Sequence, residues 1–305
     1  MNDDTDILVV GSGYLGQKVA EMAAAGGATV HATTRSPRRF DALSRAGLRP
    51  VLYDWTRPIV RGQLPTENLR GGGRVLVAVS YDRTSRHDRY TSQVGGLRRL
   101  LAVLPPDTRI CYISTTGVYH QQDGRWVDET APTHPDRLGG RVHLQAEQLL
   151  HAMRPTGRHH ILRLAGIYGP GRVPRVSDVL AGRPIACTET GFLNLIHVTD
   201  AARAVLASWQ RLGNVAPAGP GIQSRLYLVA DDHPVVRGDF YREIARRCGV
   251  APPRFAAPAA DASARMRSES NKRIWNRKMR RDLLDTLTFP DYRCGLADVL
   301  QRTLE

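Results

Sequence analysis

The chain has 305 residues, 42% of them hydrophobic, which is enough for a substantial core in one large α/β domain or two smaller ones and argues against a disordered or fibrous protein. Its net charge of +14 invites an anionic partner, yet Lys18, Lys272 and Lys278 are the only lysines, and so one-sided an arginine preference fits GC-rich codons better than a nucleic-acid-binding face. No apolar run reaches bilayer-spanning length, the acidic start Met1 to Asp6 lacks the regions of a signal peptide, and Cys111, Cys187, Cys248 and Cys294 stand too far apart for a zinc or disulfide framework, so a soluble cytoplasmic protein without membrane or nucleic-acid partners is expected.

The first predicted element is the apolar strand Ile7-Leu8-Val9-Val10, which runs into Gly11-Ser12-Gly13-Tyr14-Leu15-Gly16 and a helix over Gln17 to Ala25. This is G-x-G-x-x-G between a strand and a helix. Gly11 permits the tight turn, Gly13 lets backbone approach a pyrophosphate, and Gly16 lets helix and strand pack closely, while the helix N-terminus favours the phosphates. A dinucleotide held by residues 11 to 16 is the expected ligand.

The second strand, Ala28 to Thr34, leads to Arg35-Ser36-Pro37-Arg38-Arg39. An acid here would bind the ribose 2′-hydroxyl of NAD, whereas an arginine accommodates the 2′-phosphate of NADP. Three arginines and no acid favour NADP through Arg35, with NAD still open; a solvated arginine-rich loop is the competing reading. A helix from Phe40 to Ala46 and a strand from Arg49 to Asp54 follow, and Asp54 could reach the adenine edge. The fourth strand, Arg74 to Ser80, is apolar throughout, as a sheet covered on both faces requires, and it carries Ser80 and Tyr81 to the ligand-binding edge.

A helix over Ser92 to Leu104 stops at Pro105-Pro106, and a fifth strand, Arg109 to Ser114, delivers Thr115-Thr116-Gly117-Val118-Tyr119. A helix from Gly139 to Met153 and a sixth strand, His160 to Leu164, complete an alternation that specifies an α/β fold with one doubly wound parallel sheet. Further on, a helix over Thr199 to Gln210, a strand over Arg225 to Val229 and a helix over Gly238 to Cys248 are expected. Ala256 to Ala264 reads as a linker or lid, and a basic tail follows it.

Four stretches together resemble the extended short-chain dehydrogenase/reductase superfamily, in its NAD-dependent epimerase/dehydratase group. They are Gly11 to Gly16, Ile113 to Tyr119, Arg163 to Arg172 and Asn194 to Ala202; Ser270 to Ile274 and Phe289 to Arg293 resemble the end of such proteins. The resemblance implies a seven-stranded Rossmann sheet in which Leu226 to Val229 is a late strand. It also implies a cofactor-binding domain over 1–172 plus about 194–230, and a smaller substrate-binding region over 173–193 and 231–305. The glycine turn departs from the T-G-x-x-G-x-x-G of extended members and is closer to atypical ones.

The family's acid/base device is Y-x-x-x-K, in which the lysine lowers the tyrosine pKa. Anchored on Ala146-Glu147, its two positions fall on Gly139 and His143, so both catalytic residues are missing. The family's substrate-orienting Ser/Thr maps onto Thr115, with Thr116 adjacent. For the proton, Tyr119, Tyr81 and His143 are the candidates, His143 because an imidazole titrates near neutrality. Glu147 is expected in a structural ion pair and His197 in packing. The basic residues Arg265, Arg267, Lys272, Arg273, Arg277, Lys278, Arg280 and Arg281 are expected on a solvated helix. The resulting expectation is an NADP-dependent oxidoreductase acting on a small carbonyl or imine, its oligomeric state open to a homodimer. A non-redox lyase, isomerase or cyclase and a silent cofactor sensor are the alternatives.

Overall fold

Ile7–Val10 forms β1 and all four residues are buried, as expected of a strand that helices cover on both faces. The computed structural model describes residues 6–155, 158–214, 225–257 and 271–304. β1 is followed by α1 (Tyr14–Ala25), β2 (Val30–Thr34), α2 (Phe40–Arg45), β3 (Arg49–Leu52) and β4 (Arg74–Val77). Then come α3 (Gly96–Val103), β5 (Arg109–Thr115), α4 (Leu138–Met153), β6 (His159–Leu164), α5 (Val198–Asn214) and β7 (Leu226–Val229). The seven strands make one parallel sheet in the order β7-β6-β5-β4-β1-β2-β3. Its order reverses beside β1 and β4, the switch point at which doubly wound sheets bind ligands. The fold is the α/β Rossmann class that the sequence specifies.

Of the element boundaries that differ from expectation, three have local reasons. α1 begins three residues early, at Tyr14, because Gly16 has no side chain to keep the first turn away from Gly11. β3 ends at Leu52, because the Asp54 carboxylate accepts from the backbone and hydroxyl of Thr56 and turns the chain. α3 is preceded by a π-helical turn over Thr91–Gly95 rather than continuing back to Ser92 as α-helix. β3 is an edge strand and contains Pro50, which a central strand would not tolerate.

The chain forms two compact units. The first comprises Met1–Thr115, Leu138–Arg163 and Ala202–Tyr227, and the second Thr116–Arg137, Leu164–Ala201 and Leu228–Glu305. Residues 116–137 group with the second unit because Trp126–Val127 pairs with Arg273–Ile274, and 164–201 because Gly166–Tyr168 pairs with Leu195–His197. The first unit's core joins Leu8, Val10, Val75 and Val77 to Leu97, Leu100, Val142 and Leu150 of the helices. In the second unit, Tyr168, Phe240, Tyr292 and Leu296 form a separate core. There the Asp200 carboxylate accepts from the backbone N–H of Thr288 and Phe289 at 2.9 and 2.8 Å, tying the Asn194 to Ala202 motif to the C-terminal one. His197 packs its ring against Phe289 and Tyr168, the structural role expected of it.

Among the described residues no helix is long and apolar enough to cross a membrane. The expected linker Ala256 to Ala264 lies, from residue 258 onward, outside the described residues, as do Arg265 and Arg267. Of the remaining basic cluster, Lys272 is not solvated as expected but buried, at 6% exposure.

Candidate dinucleotide-binding site

Gly11 leaves β1 with φ of +98°, and a Cβ there would stand 2.7 Å from the Ala78 carbonyl oxygen, so both its conformation and its surroundings require glycine. The turn is stitched to the end of β2. Gly11 N–H donates to Thr33 Oγ1 at 3.0 Å, and Ser12 Oγ donates to the Thr33 carbonyl at 2.7 Å. On its other side Arg39 donates to the Ser12 carbonyl at 2.8 Å and to Gln17 Oε1 at 2.9 Å. A Cβ on Gly16 would run into the Gly11 carbonyl oxygen. At Gly13, by contrast, an added Cβ would meet nothing within 4 Å. Two of the three glycines therefore serve the chain's own packing, and the third faces open space.

That space is a cavity of about 340 Å³ within the first unit, walled by the C-terminal ends of β1, β2 and β4 and by the segment after β3. Gly11, Ser12, Gly13, Arg35, Asp54 and Ser80 all line it, so the structure brings six of the expected cofactor residues together. Tyr14, Leu15 and Gly16 do not line it; they form the first turn of α1, with Leu15 and Gly16 buried.

Arg35 Nη2 pairs with Asp82 Oδ2 at 2.9 Å. Hydrogen bonds from Thr84 and from Arg35 hold the Asp82 carboxyl down at about 2, so it is an anion throughout the neutral range. Burial pushes the Asp54 carboxyl up, but the Thr56 hydrogen bonds and the charges of Arg35 and Arg57 outweigh it and leave the net shift downward. Tyr53 and Trp55 are among the lining residues, but their side chains belong to the core, where Tyr53 Oη and Trp55 Nε1 are buried without a hydrogen-bond partner among the described residues and the indole nitrogen stands over Gly96. Thr33, Arg39, Tyr53, Trp55 and Asp82 are site residues that sequence reasoning passed over. The placement of Thr33 and Asp82 just at or after strand ends was the available signal.

The proposed catalytic residues are distributed differently. Thr115 ends β5 in the first unit, whereas Tyr119 is buried in the second, after a 3₁₀ turn over Thr116–Val118. Tyr81 is half-buried after β4; its hydroxyl donates to the His87 carbonyl at 3.1 Å, and the Arg89 guanidinium lies 4.3 Å from its ring centre. Arg89 also reaches over Gly139: its Nη1 would be 3.6 Å from a Cβ there. A cation thus covers Gly139.

His143 contacts Tyr112 Oη through Nδ1 at 3.3 Å, and desolvation pulls its pKa to about 4, with the nearby Arg89 charge adding to the shift against the Glu147 carboxylate. The expectation that it titrates near neutrality is corrected: the ring is neutral at pH 7. Because its folded pKa lies below the ordinary 6.5, the unfolded chain takes up the proton first. The stability this ring contributes is complete above about pH 6.5 and is lost as the pH falls toward 4. His143→Phe is therefore expected to flatten the urea midpoint against pH across that window; an unchanged slope would assign the ring an ordinary pKa.

One turn beyond His143, Glu147 makes the expected structural ion pair. Arg163 Nη2 lies 2.7 Å from Oε2 and Arg163 Nε 3.0 Å from Oε1, and Ser114 Oγ donates to the same Oε1 at 2.5 Å.

The sequence profile of the NAD dependent epimerase/dehydratase family matches residues 7–219. Protein YeeZ of Escherichia coli K12 is 30% identical over 251 residues, covering 82% of this chain and 86% of its own. Among solved structures, a functionally unknown conserved protein from Silicibacter pomeroyi aligns over 98% of this chain and 99% of its own, with 30% identity and a TM-score of 0.78. MoeE5 in complex with UDP-glucose and NAD aligns over 98% of this chain and 100% of its own, at 21% identity and a TM-score of 0.75, and shares the fold. With its profile matched from β1 through α5, the chain belongs to the NAD dependent epimerase/dehydratase family.

Proposed function

We propose that the first unit's cavity binds NADP(H) and that the protein is an oxidoreductase acting on a small carbonyl or imine. The carrying observation is Gly13: nothing in the chain requires a glycine there, but a pyrophosphate approaching the backbone at the start of α1 does. When bound, the nicotinamide supplies hydride, and the chain has to supply a proton, a polarising donor and a pocket. In this reading Thr115 orients the substrate oxygen and Tyr119 or Tyr81 provides the proton; the neutral His143 has none to give at pH 7.

The preference for NADP rests on Arg35. It follows β2 where no acid stands, and it already holds one anion, Asp82, which a 2′-phosphate would replace or join. Arg35→Ala is expected to weaken NADPH binding about tenfold, a loss of ~1.4 kcal/mol, and NADH binding much less. Nicotinamide fluorescence titrations measure both, and equal losses would remove the argument for the 2′-phosphate.

A second reading, cofactor binding without turnover, is favoured by Gly139 and His143 standing where the family has tyrosine and lysine. Incubation with NADPH and a panel of aldehydes, ketones and imines separates the two. Consumption with any member supports the oxidoreductase, and tight binding with no consumption across the panel supports the sensor.

A further inference from the structure

Arg35 and Asp82, which both line the first unit's cavity, meet in an ion pair. Arg35 is the residue after β2 and Asp82 follows β4, and β1 lies between those strands in the sheet, so the two strand ends stand about 10 Å apart. The pair therefore joins the two flanks of the glycine turn that leaves β1. Its members are held unequally. Thr84 donates to Asp82 Oδ1 from its backbone N–H at 2.9 Å and from its hydroxyl at 2.7 Å, and Ser85 N–H donates to the Asp82 carbonyl at 3.1 Å. The carboxylate is thus fixed by its own loop, with Oδ2 left for Arg35. The Arg35 side chain is 56% exposed, and among the described residues its guanidinium makes one hydrogen bond, from Nη2 to Asp82. Arg39, the other arginine on the cavity wall, is committed through both terminal nitrogens to the Ser12 carbonyl and to Gln17.

A 2′-phosphate carries a charge of about −1.5 to −2 at pH 7, and the cation it would seek on Arg35 is one that Asp82 already neutralises. An exposed ion pair is weak, so a phosphate can displace the carboxylate, but the anchored Asp82 stays within reach of the guanidinium and opposes a second anion there. We propose that Asp82 tempers coenzyme choice in this cavity: it competes with the 2′-phosphate for Arg35, so that NADPH is preferred over NADH by less than Arg35 alone would give. NADH brings a hydroxyl to the same place, and a carboxylate does not repel it. The inference rests on the reading that the cavity binds NADP(H) and is indifferent to whether the nicotinamide is turned over.

Titration calorimetry on the full-length protein with NADP⁺ and NAD⁺, which differ only in the 2′-phosphate, reads the contact without any substrate. Asp82→Asn keeps an oxygen for Thr84 and removes the charge. It is expected to tighten NADP⁺ binding about fivefold and to leave NAD⁺ within about twofold of the parent, a change that a merely structural role of Asp82 would not confine to one coenzyme. In an Arg35→Ala background the same substitution should alter NADP⁺ affinity by less than about twofold, because the contested cation is gone. Unchanged or weakened NADP⁺ binding in Asp82→Asn overturns the proposal, as does an equal gain for NAD⁺. A gain that persists undiminished without Arg35 makes Asp82 a bare repulsive charge and overturns the competition for Arg35. A parent protein that binds neither coenzyme removes the reading of the cavity and the proposal with it, whereas a parent that binds both while Asp82→Asn treats them alike removes the proposal alone.

Discussion

Gly13→Ser is expected to leave the chain folded and slightly more stable while weakening NADPH and NADH binding at least about tenfold, or ~1.4 kcal/mol. Gly13 is the N-cap of α1, its φ of −80° and ψ of −159° are ordinary for any residue, and no side chain caps the helix. A serine there has space and suits the position; its hydroxyl would accept from an N–H of the first turn and add a few tenths of a kcal/mol. Those N–H groups are the ones a pyrophosphate would use, so one substitution moves stability and binding in opposite directions. Thermal melts without cofactor and fluorescence titrations with it measure the two effects. Unchanged affinity would mean that the dinucleotide does not cross this turn. Gly16→Ala serves as the contrast, since its Cβ meets the Gly11 carbonyl and should destabilise by about 1–3 kcal/mol.

The largest loss of stability is expected from Glu147→Ala. Both side chains of the Glu147–Arg163 pair are 7% exposed, and Ser114 shares the same carboxylate. Removing the carboxylate leaves a guanidinium charge buried beside an apolar methyl and deprives Ser114 Oγ of its acceptor, at a cost of about 3–5 kcal/mol. Replacing both charges, as Glu147→Leu with Arg163→Met, should recover much of that loss, because desolvating the pair offsets much of its attraction. Urea unfolding of the single and double variants tests this. A single variant within about 1 kcal/mol of the parent would mean that water reaches the pair and screens it.

What the sequence made legible was set by short-range rules. The strand-turn-helix around Gly11, the apolar run of β4 and the order of strands and helices follow from steric and hydrophobic periodicity, and six of the residues they nominate line one cavity. Side chains whose role depends on distant neighbours were not legible. Thr33 and Arg39 hold the glycine turn through hydrogen bonds spanning 21 to 27 residues of chain, which no local pattern encodes. His143 was expected to titrate near neutrality because its residue type suggests it, whereas its desolvation comes from packing. Lys272 sits in a run of basic residues that reads as a wet surface, yet its side chain turns inward. Asp54 was read for a ligand, and the structure adds that it also terminates β3.

Pro50 bears on self-association. Tyr53 N–H donates to the Thr34 carbonyl of β2, so residues of β3 at odd positions face the sheet and Pro50 faces away from it. A strand from another copy approaching that outer rail would look for a backbone donor and find a pyrrolidine ring. The rim of the sheet at β3 is thereby closed to continuation by a second molecule, and aggregation by edge-to-edge growth is opposed there without any covering helix. A homodimer of this chain is not expected to form by continuing the sheet through β3.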